Sequence, residues 1–131
     1  MGKITKPVID LEGLPEVPAW YLVATKYNYQ EEYAKNLEMG LEAKNMSNKI
    51  VEWFVPIKYE KVETVNKKGV VSFKDKKVKI LENYVYVKAV MDEFVWDYLR
   101  TTVGAATVIA PDGRPAITLE EDVNRMKALC K

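Results

Sequence analysis

The sequence lacks histidine altogether and has a single cysteine, Cys130, among its 131 residues. Without an imidazole the chain has no histidine general base, no histidine zinc ligand and no Ser-His-Asp or Cys-His arrangement. One cysteine cannot form an internal disulfide, and no other ligands lie close to it in the sequence. The chain also contains no glycine-rich phosphate loop and no acidic cluster with calcium-loop spacing. We therefore predict a non-enzymatic protein with no catalytic residue, no cofactor and no metal.

Long apolar runs are missing as well. No segment approaches the roughly 20 apolar residues that a membrane helix needs, and the N-terminus lacks the apolar core and cleavage site of a secretory signal. A chain of 131 residues is long enough to bury one core, so we expect a single domain. The expected location is the cytoplasm, and no membrane partner is expected.

The net charge of +1 conceals an uneven distribution of charge along the chain. Residues 58–79 contain eight lysines and three acidic residues, which is a local charge of +5, so the remainder carries −4. A lysine-rich segment is typical of a solvated hairpin whose charges discourage edge-to-edge aggregation. The alternative interpretation is a surface that contacts nucleic-acid phosphate.

Local patterns predict alternating strands and helices after a proline-containing segment. Residues 1–18 contain three prolines and show no periodicity, which predicts a flexible arm before a folded domain at 19–131. Strands are predicted from alternation and branched or aromatic content, and helices from apolar residues at three- and four-residue spacing. The predicted order is strand 19–25, helix 28–45, strand 49–56, hairpin 57–80, strand 82–91, helix 92–100, strand 106–110 and helix 118–131.

The predicted helix starts depend on polar capping residues. Asn28, Asp92 and Thr118 each precede an apolar-periodic segment, and their side chains are of the types that cap helices. Glu31 and Glu121 follow Asn28 and Thr118 by three positions, which is the spacing of a capping box. We therefore expect each helix to begin directly after its capping residue.

This order is that of the split βαβ, or ferredoxin-like, fold: an α+β antiparallel sheet with helices packed on it, here elaborated by a β-hairpin. An antiparallel sheet needs cover on only one face, yet strands 19–25 and 82–91 are apolar or aromatic on both faces. Aromatic residues such as Trp20 and Tyr84 therefore need an explanation. Either the last helix or a bend in the hairpin covers them, or another molecule does.

Four segments of the chain occur in a characteristic order: WYLVATKYNYQEEYAKNLE, FVP, NYVYVKAVMDEFVWDYLRTTVG and DGRPAITLEEDV. Together they resemble the N-terminal (NGN) domain of the NusG family of transcription elongation factors. No single segment is specific, and the order and spacing over residues 19 to about 130 carry the resemblance. The chain departs from the family pattern where Leu81 stands in place of a phenylalanine and Val103 in place of a proline.

The resemblance implies a protein partner. In NGN domains an apolar and aromatic depression on the sheet docks on the clamp helices of the largest RNA polymerase subunit. At the matching positions this chain has Trp20, Leu81 and Tyr84. Such a surface would bind an amphipathic helix by burying a few apolar anchors. Core packing is the alternative role for Trp20 and for Tyr84.

The resemblance also implies a contact with DNA. Arg100, Thr101 and Thr102 match a loop that contacts the unpaired non-template strand in the transcription bubble, and their side chains suit a base edge or a phosphate. A further hypothesis lays the lysine-rich hairpin along upstream DNA, with the solvated hairpin as its alternative. The lysines concerned are Lys67, Lys68, Lys74, Lys76 and Lys77.

Family members continue into a KOW domain, a small β-barrel that engages the termination factor Rho or a ribosomal protein. No segment of this sequence predicts such a barrel, so coupling to Rho or to the ribosome is expected only if a KOW domain exists beyond this chain. The favoured function is a transcription elongation factor domain that binds the clamp helices and modulates pausing, processivity or termination.

The alternative function is a stand-alone single-stranded RNA-binding module whose exposed sheet aromatics stack on bases. Against it, no strand matches the basic and aromatic signature of that class of RNA-binding domain. The two functions differ in their response to salt, because binding to phosphates weakens steeply as salt is added and an apolar helix dock does not.

Overall fold

A computed structural model describes residues 9–130 and shows an α+β fold of seven strands, three α-helices and one 3₁₀ turn among them. Branched and aromatic residues dominate the strands, and the helices carry apolar residues at helical spacing, as the sequence predicts. The elements are β1 (Ala19–Thr25), α1 (Gln30–Gly40), β2 (Ile50–Phe54), β3 (Ile57–Val65), β4 (Val71–Lys79), β5 (Tyr84–Ala89), α2 (Glu93–Thr101), β6 (Ala105–Val108), the 3₁₀ turn Pro111–Gly113, β7 (Ile117–Thr118) and α3 (Glu120–Leu129).

The main sheet is antiparallel and has the strand order β2-β5-β1-β6, with β7 also paired to β1. This order is the one that a split βαβ unit produces, so the predicted ferredoxin-like fold is confirmed. The hairpin of β3 and β4 forms a separate two-stranded sheet, as predicted. The short strand β7 was not predicted, because two residues are too few to show alternation.

The first face of the sheet carries the main core. Residues that are paired across antiparallel strands share a face, and the pairs Tyr21 with Val87 and Val23 with Val85 point toward α1 and α2. These helices contribute Tyr33, Leu37, Val95 and Leu99, all fully buried.

The second face is covered in part by α3, which answers the question of what hides it. Trp20 and Tyr86 lie on this face and pack with Val123 of α3 in a second buried cluster. Phe54 stacks on the Tyr86 ring at 4.8 Å between centroids and meets the Trp20 ring edge-on at 5.7 Å. Both faces of β1 and β5 are therefore apolar because helices pack on both.

One predicted helix cap is confirmed. The Asp92 carboxylate accepts a hydrogen bond from the backbone N–H of Val95 (2.8 Å) and forms an ion pair with Lys49. Burial alone would raise the pKa of Asp92, but the hydrogen bonds from Lys49 and from the helix backbone outweigh burial and hold that pKa below its ordinary value. The negative charge therefore stabilises the start of α2.

Two predicted caps are wrong. Neither α1 nor α3 has a side-chain cap, and each begins two residues after the predicted capping residue. Asn28 instead adopts a left-handed φ of 62° and accepts a hydrogen bond from Lys79 at the base of the hairpin. Thr118 instead forms part of β7, where it pairs with Trp20 of β1. In both cases a tertiary contact overrides the local capping preference.

The first helix is shorter than the prediction of 28–45. It ends at Gly40, and Asn45 closes the following turns with a φ of 56°. A Cβ at Gly40 would lie 2.5 Å from the Tyr98 hydroxyl, because the Tyr98 ring of α2 lies against α1 at this point. The glycine therefore leaves room for the Tyr98 side chain, which would have to shift if residue 40 carried a Cβ.

Part of the predicted N-terminal arm contacts the fold. The backbone N–H of Asp10 donates to the carbonyl of Gly113 (2.7 Å), and Leu11 and Leu14 pack against the main core. Residues 1–8 and residue 131 lie outside the described residues, and the flexibility of the arm stays a prediction. In the part of the chain that the structure describes, no helix is long and apolar enough to cross a membrane.

Candidate functional site

The uncovered part of the second face forms a half-exposed apolar surface, which we call the docking patch and define as Leu22, Ala24, Leu81 and Tyr84. Ala24 pairs with Tyr84, and Leu22 pairs with Tyr86, so these residues share the face that α3 covers further along the strands. Each patch residue is partly exposed. Leu22 and Leu81 also pack against the cluster beneath α3.

Helix α3 sets one border of the docking patch through polar contacts around Trp20. The Trp20 indole Nε1 donates a hydrogen bond to Glu120 Oε2 (2.9 Å). Lys127 forms an ion pair with Glu52 and places its Nζ 4.8 Å from the centroid of the Trp20 ring. Trp20 is only 1% exposed, which is the arrangement that its core-packing alternative predicts.

The turn that carries Leu81 and Tyr84 is held by Gln30, a residue that the sequence did not indicate as important. Its side-chain Nε2 donates to the carbonyls of Leu81 (2.7 Å) and Tyr84 (2.8 Å), and the residue is 2% exposed. Within the same turn, Asn83 adopts a φ of 64° and its carbonyl accepts a hydrogen bond from the Thr25 N–H. A glutamine at a helix start is common, so no local pattern distinguishes this one.

The three residues predicted to contact DNA lie together at the end of α2. Arg100 is exposed and donates to the Asp97 carboxylate of its own helix (2.8 Å). The hydroxyls of Thr101 and Thr102 donate to carbonyls one turn earlier, both at 2.6 Å. Because these hydroxyl protons are used within the helix, the threonine oxygens are left to accept hydrogen bonds, for example from base amino groups.

A groove of about 430 Å³ lies beside these threonines, between the ends of α1 and α2. Tyr98 lies between the two helices, with its hydroxyl donating to the Leu37 carbonyl. The groove is lined by Asn36, Met39, Gly40, Lys44, Tyr98, Thr101, Thr102 and Val103. It opens on the side of the sheet that carries α1 and α2, opposite the docking patch.

We expect Gly104→Ala to destabilise the loop after α2. Gly104 has a φ of +103°, and a Cβ there would lie 3.2 Å from Tyr33 Cβ and 3.4 Å from the Tyr33 Cα. Strain and crowding together should lower the free energy of unfolding by about 1–3 kcal/mol. Denaturant titration measures this loss. In the matched variant Gly69→Ala, φ is +77° but the space is open, so the loss should stay near about 1 kcal/mol.

The lysines of the hairpin do not form one surface. Lys67 and Lys68 lie in the turn between β3 and β4, and the strand register places Lys74 and Lys76 on the face opposite Lys77. Lys76 is paired across the hairpin with a glutamate, and all five lysines are exposed.

Lys77 is engaged in a contact within the protein. Its ammonium forms an ion pair with Glu31 of α1, and the Tyr59 hydroxyl donates to the same carboxylate (2.8 Å). The hydrogen bonds from Lys77 and then Tyr59 hold the pKa of Glu31 below its ordinary value. This network attaches the base of the hairpin to the helix, so the structural role of Lys77 competes with DNA contact.

Metal and cofactor sites were not expected from the sequence. Among residues 9–130, no group of three or more cysteine, aspartate and glutamate side chains is placed to hold a metal ion.

Comparisons with known proteins agree with the fold. A solved structure titled "Domain interaction in Thermotoga maritima NusG" superposes with a TM-score of 0.67, covering 86% of this chain and 57% of that chain. Its sequence identity of 20% supports the similarity of fold alone. The α+β architecture is thus that of an NGN domain.

Proteins of similar sequence identify the family. NusG of Halalkalibacterium halodurans, named a transcription termination/antitermination protein, is 32% identical over 108 residues, covering 80% of this chain and 58% of the relative. The Bacillus subtilis protein of the same name is 33% identical over 94 residues, covering 72% of this chain and 50% of the relative. The chain thus spans about half the length of these relatives. A family model described as "Transcription termination factor nusG" matches residues 18–127, and the chain belongs to the NusG family.

Proposed function

We propose that this chain acts in transcription elongation, where it binds the clamp helices of the largest RNA polymerase subunit and modulates pausing, processivity or termination. The names of its relatives support a role in termination or antitermination. Binding to the polymerase also puts the site of action in the cytoplasm. Any coupling to Rho or to the ribosome depends on a KOW domain beyond this chain.

The docking patch is the observation that carries this proposal. It is the part of the second sheet face that α3 leaves half-exposed, and it combines aliphatic side chains with the ring of Tyr84. An amphipathic helix buries its apolar side chains in such a surface, and one or two anchors supply most of the affinity. Leu81 and Tyr84 are the proposed anchors, with Trp20 supporting them from beneath α3.

We expect Tyr84→Ala to weaken binding of an isolated clamp-helix fragment by at least about 1 kcal/mol, roughly a fivefold or larger rise in Kd. The loss follows from removing an aromatic anchor from the centre of an apolar contact. Leu81→Ala should have a similar but smaller effect. Isothermal titration at low and at high salt measures both, and the affinity should change little with salt because the contact is apolar.

A matched control comes from Phe94→Ala, which removes an equally apolar ring that is 68% exposed on α2. Phe94 belongs to α2, which lies on the face of the sheet opposite the docking patch. Its removal should therefore leave the affinity for the clamp-helix fragment unchanged. Circular dichroism should show that all variants remain folded. Equal losses in Tyr84→Ala and Phe94→Ala, or no binding by the wild type, would count against the docking patch.

The same proposal includes DNA. Bound on the polymerase, the exposed end of α2 would present Arg100 and the acceptor oxygens of Thr101 and Thr102 to the non-template strand. The hairpin lysines Lys67, Lys68, Lys74 and Lys76 would contact upstream DNA, and Lys77 would do so only by leaving Glu31. The side chains that support this part are polar and, except for the half-buried Thr102, exposed, which also suits a solvated surface.

The alternative of an RNA-binding module depends on aromatic rings exposed on the sheet. Trp20 and Tyr86 are buried beneath α3, and Phe54 stacks on Tyr86 and meets Trp20 edge-on. These rings are therefore not presented to bases unless α3 leaves the sheet. Among the described aromatic residues on this face, Tyr84 and Phe54 are half-exposed, and Phe54 is already stacked on Tyr86, which suits an anchor at Tyr84 in a protein interface better than a platform for successive bases.

A further inference from the structure

The outer half of the hairpin carries exposed apolar side chains that neither core cluster includes. Phe73 is 68% exposed, and Val65 and Val71 are exposed as well. The strand register pairs Val65 with Val71 and Phe73 with Glu63, so the three apolar side chains share one face of the hairpin. Contact with DNA does not account for this face, because phosphates attract cations and leave apolar side chains in water.

The hairpin also has a free edge along β4. Within residues 9–130, β4 is paired with β3 alone, in a sheet of two strands. The Asn66 N–H donates to the Val70 carbonyl (3.1 Å), and hydrogen-bonded and non-hydrogen-bonded pairs alternate along an antiparallel ladder. The backbone N–H and C=O groups of Val71, Phe73 and Asp75 therefore point away from β3, toward the open edge.

These two features favour an extended occupant. A two-stranded ribbon is marginally stable in water and becomes stable when a third strand and an apolar face are added to it. A strand that pairs with β4 would satisfy the outward backbone groups and place every second side chain on the face of Phe73.

The charge of the edge selects the partner. The strand β4 contains four lysines and one aspartate, whereas β3 contains two lysines and two glutamates. Lys74 and Lys76 are exposed on the face opposite Phe73. A second copy of this chain is disfavoured here, because two paired β4 strands would bring lysines close together. Acidic side chains beside Lys74 and Lys76 would instead be attracted to the edge.

We propose that β4 binds an extended segment of a partner protein as a third strand, in which apolar and acidic residues alternate. Backbone hydrogen bonds hold the segment, its apolar side chains pack on Phe73 and Val71, and its acidic side chains pair with Lys74 and Lys76. This site goes beyond the polymerase dock and does not depend on it. Because it uses two lysines of the proposed upstream DNA contact, the acidic segment competes with duplex DNA for the hairpin.

The test is fluorescence anisotropy with the full chain and a labelled ten-residue peptide of alternating glutamate and valine. Phe73→Thr removes the aromatic anchor but keeps a residue suited to a strand, and it should raise the Kd of the peptide by about fivefold or more. Asp75→Pro removes an outward N–H without breaking the ladder with β3, and it should raise the Kd by a similar factor. A peptide of alternating lysine and valine should not bind.

Controls separate strand addition from a general basic or apolar surface. A labelled 20-base-pair DNA duplex should bind Phe73→Thr and Asp75→Pro as it binds the wild type, whereas the double variant Lys74→Ala/Lys76→Ala should bind both the peptide and the duplex less tightly. Val51→Thr removes exposed apolar surface from β2 and should leave the Kd of the peptide unchanged. Far-UV circular dichroism should show that all variants remain folded.

The proposal is overturned if the wild type does not bind the glutamate–valine peptide, or if the lysine–valine peptide binds as tightly. It is also overturned if either Phe73→Thr or Asp75→Pro binds the peptide as tightly as the wild type does. Equal losses of peptide and duplex binding in Phe73→Thr would assign the apolar face to DNA contact instead. Failure of the polymerase dock would appear only in the clamp-helix titration, so the two proposals fail separately.

Discussion

Trp20→Ala should lower the free energy of unfolding by about 3–5 kcal/mol, because it removes the largest side chain of the second core and leaves a cavity beneath α3. The variant also loses the hydrogen bond to Glu120 and the ring on which Lys127 lies. Such a loss is a large fraction of the stability of a small domain. Urea denaturation followed by far-UV circular dichroism measures it.

The variant Trp20→Phe separates packing from the hydrogen bond. Phenylalanine keeps an aromatic ring under α3 but cannot donate to Glu120, so its loss should be smaller, about 1–2 kcal/mol. Clamp-helix binding by the folded fraction of either variant should change less than in Tyr84→Ala. An unaltered stability of Trp20→Ala, combined with a complete loss of binding, would show that the ring contacts the partner directly.

The second large effect is expected at Gln30. Replacement by leucine keeps the volume but removes both hydrogen bonds to the turn, leaving the carbonyls of Leu81 and Tyr84 without their donor. Each unsatisfied carbonyl costs about 1–3 kcal/mol. The substitution also removes the buried Gln30 Oε1, which has no partner among the described residues, and this gain offsets part of the loss. We expect a net decrease of about 2–3 kcal/mol in the free energy of unfolding.

Asn36→Ala is the matched control for Gln30→Leu. It removes an amide that donates to the Val103 carbonyl (3.2 Å) from the same helix, but this bond is exposed, so water replaces it at a cost of about 0.5 kcal/mol or less. Gln30→Leu should in addition weaken clamp-helix binding, because the turn carries Leu81. Equal stability of the two variants would show that the turn holds its shape without the glutamine.

The strand pattern was predictable because it is local. Alternation and branched residues in 19–25 and 82–91 predict strands, and these became β1 and β5 at the centre of the sheet. Two-faced hydrophobicity correctly indicated that something covers the second face. Which helix covers it depends on Val123 reaching Trp20 across a hundred residues of sequence, and no local pattern contains that information.

The helix starts show where local prediction failed. Asn28 and Thr118 have the residue types of caps, but Lys79 and strand β1 compete for them in the folded chain. Asp92 also binds a lysine, Lys49, but its carboxylate has two oxygens, and the second accepts the Val95 N–H, so Asp92 caps α2 as predicted. The candidate site was likewise predictable only in part. Leu81 and Tyr84 were identified through the family resemblance, whereas no sequence pattern indicated Gln30, which holds their turn.

By itself the sequence determined an α+β fold class, the absence of histidine, a lysine-rich hairpin and the ordered segments that resemble an NGN domain. These properties depend on composition and on short-range periodicity, which are set before the chain folds. Only the tertiary structure decided that Trp20 lies beneath α3 and that Lys77 is held by Glu31. Whether a side chain is buried depends on which distant segments pack against it. An apolar or charged side chain has the same local sequence pattern whether it contacts its own chain or another molecule, so the pattern alone does not tell the two cases apart.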